Sequence, residues 1–185
     1  MASSKREQLI NTAQALFHRV GYHATGIDRI LAESGVAKMT LYKHFRSKDE
    51  LILAVLDARR QVLLEQLQGL RHSLPPREAL LTTFDGLHAW IHQGDFCGCS
   101  FINAAAEFQA REHPIHRKAA QVKAEVADHF LQLLQAMAIA QPQQLANQLQ
   151  FLFEGALSMA HLQGPADQAL EAKAAVEALL TIATV

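Results

Sequence analysis

The sequence predicts an all-α protein of about nine helices, a three-helix N-terminal domain followed by a larger helical domain. Half of its 185 residues are hydrophobic, enough for a real core, and only 9 are Gly and 5 Pro. Apolar residues recur three and four apart, without the strict alternation of a half-buried strand. A Ser or Thr followed three residues later by an acid stands where the first, second and fourth helices should open.

The first helix begins at the capping box Ser4-x-x-Glu7. It carries Leu9, Ile10, Ala13, Leu16, Phe17 and Val20 on one face and stops at Gly21. The second starts at Thr25-x-x-Asp28, with Ile27, Ile30 and Leu31 apolar, and ends at Gly35. A short third segment runs from Lys38 to Phe45. The capping box Ser47-x-x-Glu50 opens a long fourth helix that reaches about His72, where SLPPR breaks it. Beyond Pro76 a fifth helix runs to about His92, and QGDFCG interrupts the pattern. A short helix then spans about Cys99 to Gln109, and a long one Pro114 to about Ala140. The last two occupy about 143–162 and 165–183, bracketed by Pro142 and Gly164-Pro165. The domains are expected at 1–47 and 48–185, joined within continuous helix.

The net charge of −1 conceals an asymmetry. Residues 1–50 carry eight Lys or Arg against five acids, whereas the remainder carries nine bases and thirteen acids. The basic end is the candidate polyanion contact. MASSKREQLI runs straight into an amphipathic pattern rather than a leader, and no apolar stretch reaches the roughly 20 residues that span a bilayer. A cytoplasmic protein without membrane contact is expected. Cys97 and Cys99 lie too close together for a structural staple, which suits a reducing compartment.

Two short helices joined by SGVA form a helix-turn-helix, because Gly35 can take the left-handed conformation that reverses the chain. Ile30, Leu31, Val36, Leu41 and Phe45 would lock the pair against the first helix. In LYKHFRSKDE, an inward Leu41 and Phe45 force Tyr42, Lys43 and His44 toward solvent. Segment 38–46 holds Lys38, Lys43, His44 and Arg46 and not one acid, the composition of a helix that enters a DNA major groove. Lys48 stands in the first turn of a helix, where the dipole disfavours a cation and a phosphate would relieve the conflict.

The stretch TGIDRILAESGVAKMTLYKHFRSKDELILAVL, residues 25–56, resembles the DNA-binding domain of the TetR family of transcriptional regulators. The residues that carry the resemblance are Thr25, Ile30, Gly35, Val36, Leu41, Tyr42, His44, Phe45, Ser47, Lys48 and Leu51, following GYHAT. Ala37 departs from the frequent Ser at the recognition-helix start, and Met39 from a frequent Gly. The resemblance implies that Lys38, Met39, Thr40 and Lys43 approach base edges while Thr25, Tyr42, His44 and Lys48 hold the backbone of double-stranded DNA. Thr25 can offer a hydroxyl or a helix-start amide to phosphate. It also implies a homodimer through the last two helices, about 143–183, and a small-molecule effector bound in the larger domain. The Ala-rich faces of those helices, including Leu145, Leu149, Leu152, Phe153, Ala156, Leu157 and Ala160, then Leu170, Ala174, Ala178 and Ile182, are broad enough for pairing.

The middle helices hold the ingredients of a cavity: apolar Phe84, Trp90 and Phe130, with His88, Asn103, Glu107 and His129 as polar anchors. Each aromatic reads more readily as plain core than as ligand wall. CGCSFINAAAEF resembles a Gly-Cys-containing subgroup of the same family, some of whose members respond to electrophiles or oxidants. Cys99 would begin a short helix, where the dipole favours negative charge; it reads as buried packing, as a thiol sensor or as a metal ligand. Asp85, His88 and His92 share a helical face with ligand spacing, and His113 and His116 form a second pair. A metal-dependent enzyme would need these groups to converge. No nucleophile elbow, phosphate loop or paired-carboxylate pattern is present, so neither an enzyme nor a cofactor is expected. The expected activity is that of an effector-responsive regulator, a repressor that releases a pseudo-palindromic operator, with a thiol-sensing repressor acting through Cys99 as the alternative.

Overall fold

The computed structural model describes residues 4–183; the first three residues of MASSKREQLI and the last two of the chain lie outside it. Among the described residues there are nine helices and no strand: α1 Lys5–Val20, α2 Ile27–Ser34, α3 Lys38–His44, α4 Lys48–Ser73, α5 Pro76–Ile91, α6 Ser100–Glu107, α7 Pro114–Ala136, α8 Pro142–Gln163 and α9 Gln168–Ala183. No described helix is long and apolar enough to cross a membrane.

The helices fall into two compact units interleaved along the chain. One takes the residues up to Val62 together with Ser100–Gln121; the other takes Leu63–Cys99 together with the residues from Val122 onward. In the first unit α1 packs on α2 and α3. Leu9, Leu16, Ile30, Leu41, Leu51 and Leu56 are fully buried there. In the second unit α5, α8 and α9 pack on one another around Leu80, Phe84, Phe130, Leu149 and Val176.

Local chemistry sets most boundaries. Ser4 caps α1, its hydroxyl accepting the Glu7 N–H at 3.2 Å. Gly35 ends α2 at φ 64°, and its N–H returns to the Leu31 carbonyl. Ser47 accepts the Glu50 N–H at 3.1 Å at the head of α4, while the Glu50 carboxylate takes the Arg46 N–H at 2.6 Å. The long α7 ends earlier than the periodicity predicts. Ala138 turns left-handed at φ 56°, and the Ile139 N–H reaches back to the Leu134 carbonyl at 3.2 Å. That reversal buries Ile139, which continuing the helix would have carried elsewhere.

Two expectations need correction. The spacing Thr25-x-x-Asp28 is not a capping box: Gly26 is the N-cap of α2, no side chain caps it, and Thr25 is wholly buried. On α8, Leu145, Leu149, Phe153, Ala156, Leu157 and Ala160 are spent on the protomer's own core. The apolar side chains left outside are Phe151 at 72% exposure, Leu162 at 75% and Met159 at 40%, with Leu170 and Ile182 on α9.

Candidate nucleic-acid interface

The helix α3 presents one exposed face because its inward residues are fixed. Leu41 and Phe45 are 0% and 3% exposed, and Val36 in the preceding turn is buried. Met39 stands out at 75% exposure and Tyr42 at 46%; Lys38, Lys43 and His44 are exposed and Thr40 is partly so. Ala37 supplies no side-chain cap, so the helix start keeps uncapped amides. The Lys38 ammonium lies 3.6 Å from Asp28 of α2, an exposed pair that steers the side chain more than it stabilises it. The Arg6 guanidinium sits 5.3 Å from the centre of the Phe45 ring and borders a groove of about 450 Å³, shared with His44, Glu50 and Asp57.

The backbone-holding set is arranged differently from its sequence expectation. The Thr25 hydroxyl donates to the Gly21 carbonyl at 2.7 Å. With that proton used and the side chain buried, it ties the turn between α1 and α2 instead of reaching for phosphate. Lys48 already has a partner. Its ammonium donates to the His23 carbonyl at 3.2 Å, which relieves the helix-start conflict from within. Partial burial lowers its pKa, against the opposing pull of Glu107 and Asp49.

Glu107, expected as a ligand anchor, is committed to the turn between α1 and α2, where its carboxylate accepts two main-chain N–H groups. His23 and His113 flank Phe108, with ring centres at 4.6 and 4.8 Å. The His113 ring lies 3.5 Å from Asp49, and His116 contacts the Phe108 carbonyl at 2.9 Å. Asn103 is half-buried on α6.

In the other unit two of the expected cavity aromatics, Phe84 and Phe130, pack in the core. Phe84, Phe130 and Phe153 contact one another with ring centres 5.7 to 6.0 Å apart, and the first two are fully buried. Trp90 is half-buried and meets Phe96 edge-on at 5.5 Å. His129 has both ring nitrogens engaged, Nδ1 with Arg71 at 2.7 Å and Nε2 with Thr83 at 3.0 Å. Because an arginine can only donate, Nδ1 accepts and Nε2 carries the proton. Burial, with the Arg71 charge adding to it, lowers the His129 pKa to about 4. His88 Nδ1 is buried without a hydrogen-bond partner, its ring 4.4 Å from that of His92. Asp85 is taken by Lys173 at 2.7 Å through both oxygens. Among the described residues no three or more His, Cys, Asp or Glu gather as a metal site.

Cys99 is 5% exposed and precedes α6. Its sulfur bonds with the Lys123 ammonium, which Glu154 also holds at 2.7 and 2.8 Å. Burial works against the Lys123 charge, but Cys99 and Glu154 together carry its pKa above the usual lysine value. Gly98, at φ 83°, lets the chain pass against His161; a Cβ there would lie 2.8 Å from the imidazole.

An exposed, acid-free α3, packed like α2 against α1, defines a helix-turn-helix transcriptional regulator. Residues 9–55 match the model of the bacterial regulatory proteins of the TetR family. A TetR-family transcriptional regulator from Streptomyces coelicolor is 31% identical and superposes with a TM-score of 0.93 over 98% of this chain and 96% of its own. A TetR-type regulator from Streptomyces avermitilis is 30% identical, with a TM-score of 0.87 over 99% and 100%. The transcriptional activator FasR of Mycolicibacterium smegmatis is 39% identical over 88 residues, 47% of this chain and 40% of that protein's length. The chain belongs to the TetR family, whose members are DNA-binding regulators and not enzymes, and which bind operators as dimers under small-molecule control.

Proposed function

We propose that the chain is a cytoplasmic, homodimeric repressor that releases a pseudo-palindromic operator when an effector binds its larger helical domain, residues 48–185. The observation that carries this reading is the α3 face: Lys38, Met39, Tyr42, Lys43 and His44 exposed and free of acids, over a buried Leu41 and Phe45. Lys38, Met39, Thr40 and Lys43 meet base edges. Met39 and Thr40 suit a thymine methyl, and the lysines suit guanine. Tyr42, His44 and Lys48 hold phosphates. Thr25 acts indirectly, by setting the turn before α2, whose uncapped first amides serve the same phosphate. The apolar residues left outside on α8 and α9 pair with those of a second chain, which sets the two recognition helices about 34 Å apart. The effector binds the DNA-incompetent state better, and that difference in affinity is the whole of the coupling. Selection of bound fragments from random DNA tests the reading. A palindromic consensus lost in Lys43→Ala is expected; no enrichment at all would end it.

A second reading concerns the trigger. Cys99 lies beside Lys123 just ahead of α6, and a thiol is the side chain on which electrophiles act. In this reading modification of Cys99 releases DNA. Treating wild type and Cys99→Ser with an alkylating reagent before a gel-shift separates the two triggers: operator binding indifferent to a modified Cys99 leaves only the reversible effector.

A further inference from the structure

The short helix α6 is fastened at both ends to the turn between α1 and α2. At its start the Tyr22 hydroxyl donates to the Ser100 carbonyl at 2.9 Å. At its end the Glu107 carboxylate accepts the Tyr22 N–H at 2.8 Å on one oxygen and the His23 N–H at 2.6 Å on the other. A third contact joins His23 Nε2 to the Glu107 carbonyl at 3.0 Å. Tyr22 is therefore held through both its main chain and its side chain, with its ring stacked on Phe17 at 5.1 Å.

The turn is shaped to admit the carboxylate. Gly21 has φ +100°, and a Cβ there would come within 3.1 Å of Glu107 Oε1. Both facts favour glycine: the backbone angle is one that side chains rarely adopt, and the space belongs to Glu107.

From this turn two bonds lead onward, one to the start of α2 and one to Lys48. The Thr25 hydroxyl closes on the Gly21 carbonyl just ahead of α2, and the His23 carbonyl receives the Lys48 ammonium. We infer that Glu107 is a positioning residue for DNA binding: by clamping the Tyr22 and His23 amides it fixes the α1–α2 turn, and so the placement of α2 and Lys48. This rests on the operator reading above. Glu107 itself touches no DNA, and affinity for DNA follows how α6 is seated.

Glu107→Gln keeps the side chain's size and one acceptor but turns an amide NH₂ toward a main-chain N–H, which breaks one of the two charge-assisted bonds. The experiment uses the full-length dimer and a DNA fragment selected by the wild type. It measures Kd for the wild type, Glu107→Gln, Lys48→Ala and the double variant, with hydrogen exchange over residues 21–24. The inference expects faster exchange at Tyr22 and His23 and binding about tenfold weaker in Glu107→Gln at unchanged melting temperature and dimer content. It also expects the double variant to lose less than the sum of the single losses, because Glu107 acts partly through Lys48. Wild-type affinity in Glu107→Gln, unchanged exchange, or strictly additive losses would each overturn it. Should Glu107→Gln fail to fold, Glu107→Asp, one methylene short of both amides, carries the same expectations. A wild type that selects no DNA overturns the operator reading instead, and the exchange measurement then decides whether the clamp exists.

Discussion

Arg71 donates a guanidinium N–H to Nδ1 of His129, 2.7 Å away, and so holds a buried imidazole in its neutral form. His129 passes its own proton toward Thr83, whose hydroxyl donates to the Ala79 carbonyl at 2.9 Å. The chain of bonds has a fixed direction, and protonating Nδ1 would set two cations against each other. The folded pKa, about 4, lies below the unfolded value of 6.5. The stabilisation is therefore complete above pH 6.5 and is lost as pH falls toward 4. Between pH 7 and pH 5 the loss attributable to His129 is about 2 kcal/mol. Urea melts at the two pH values should show that difference in the wild type and most of it gone in His129→Gln; an equal pH dependence in both would refute the assignment.

Lys48 can serve DNA only by leaving, or sharing, the His23 carbonyl. Lys48→Ala should weaken binding to all sequences alike and reduce the slope of log K against log salt by about one unit. A titration of affinity between low and moderate salt decides it, and an unaltered slope removes Lys48 from the phosphate contacts.

Phe84 is surrounded by Phe130 and Phe153 and has no solvent exposure. Truncating it should open a cavity and destabilise the fold by about 3–5 kcal/mol, as large core truncations do. If Phe84→Ala instead melts like the wild type while losing effector response, the ring is a ligand wall rather than core.

Phe151 and Leu162 leave large apolar surfaces outside the protomer on α8. Replacing both with Glu should convert a dimer into a monomer at micromolar concentration, because two carboxylates per chain would have to be buried unpaired. Light scattering coupled to size exclusion reads the outcome directly. A dimer that survives the double substitution places the interface elsewhere.

What could be read from the sequence was short-range. Gly35, Val36, Leu41 and Phe45 announce a helix-turn-helix because helical spacing and one left-handed residue suffice to define it, and all four stand as expected. Thr25 has the spacing of a cap without the role, because its hydroxyl returns four residues to the Gly21 carbonyl. Glu107 carries no local signal at all, since its partners are main-chain amides 84 and 85 residues away. The pairing of Arg71 with His129 and Thr83 is hidden for the same reason: it joins three helices across 58 and 46 positions. The end of α7 has no local signal, because a left-handed Ala138 stands where a glycine would mark the stop.

The interleaving of the two units bears on how the protein is made. A nascent chain that has emerged only as far as Val62 already carries α1, α2 and α3, but Ser100 and Glu107, which grip the turn between the first two helices, are still to be synthesised. The ribosome must deliver the chain through Gln121, well past its midpoint, before the reading head has all its supports. The supports of the turn between α1 and α2 are thereby deferred until the first stretch of the second unit, Leu63–Cys99, has also been translated.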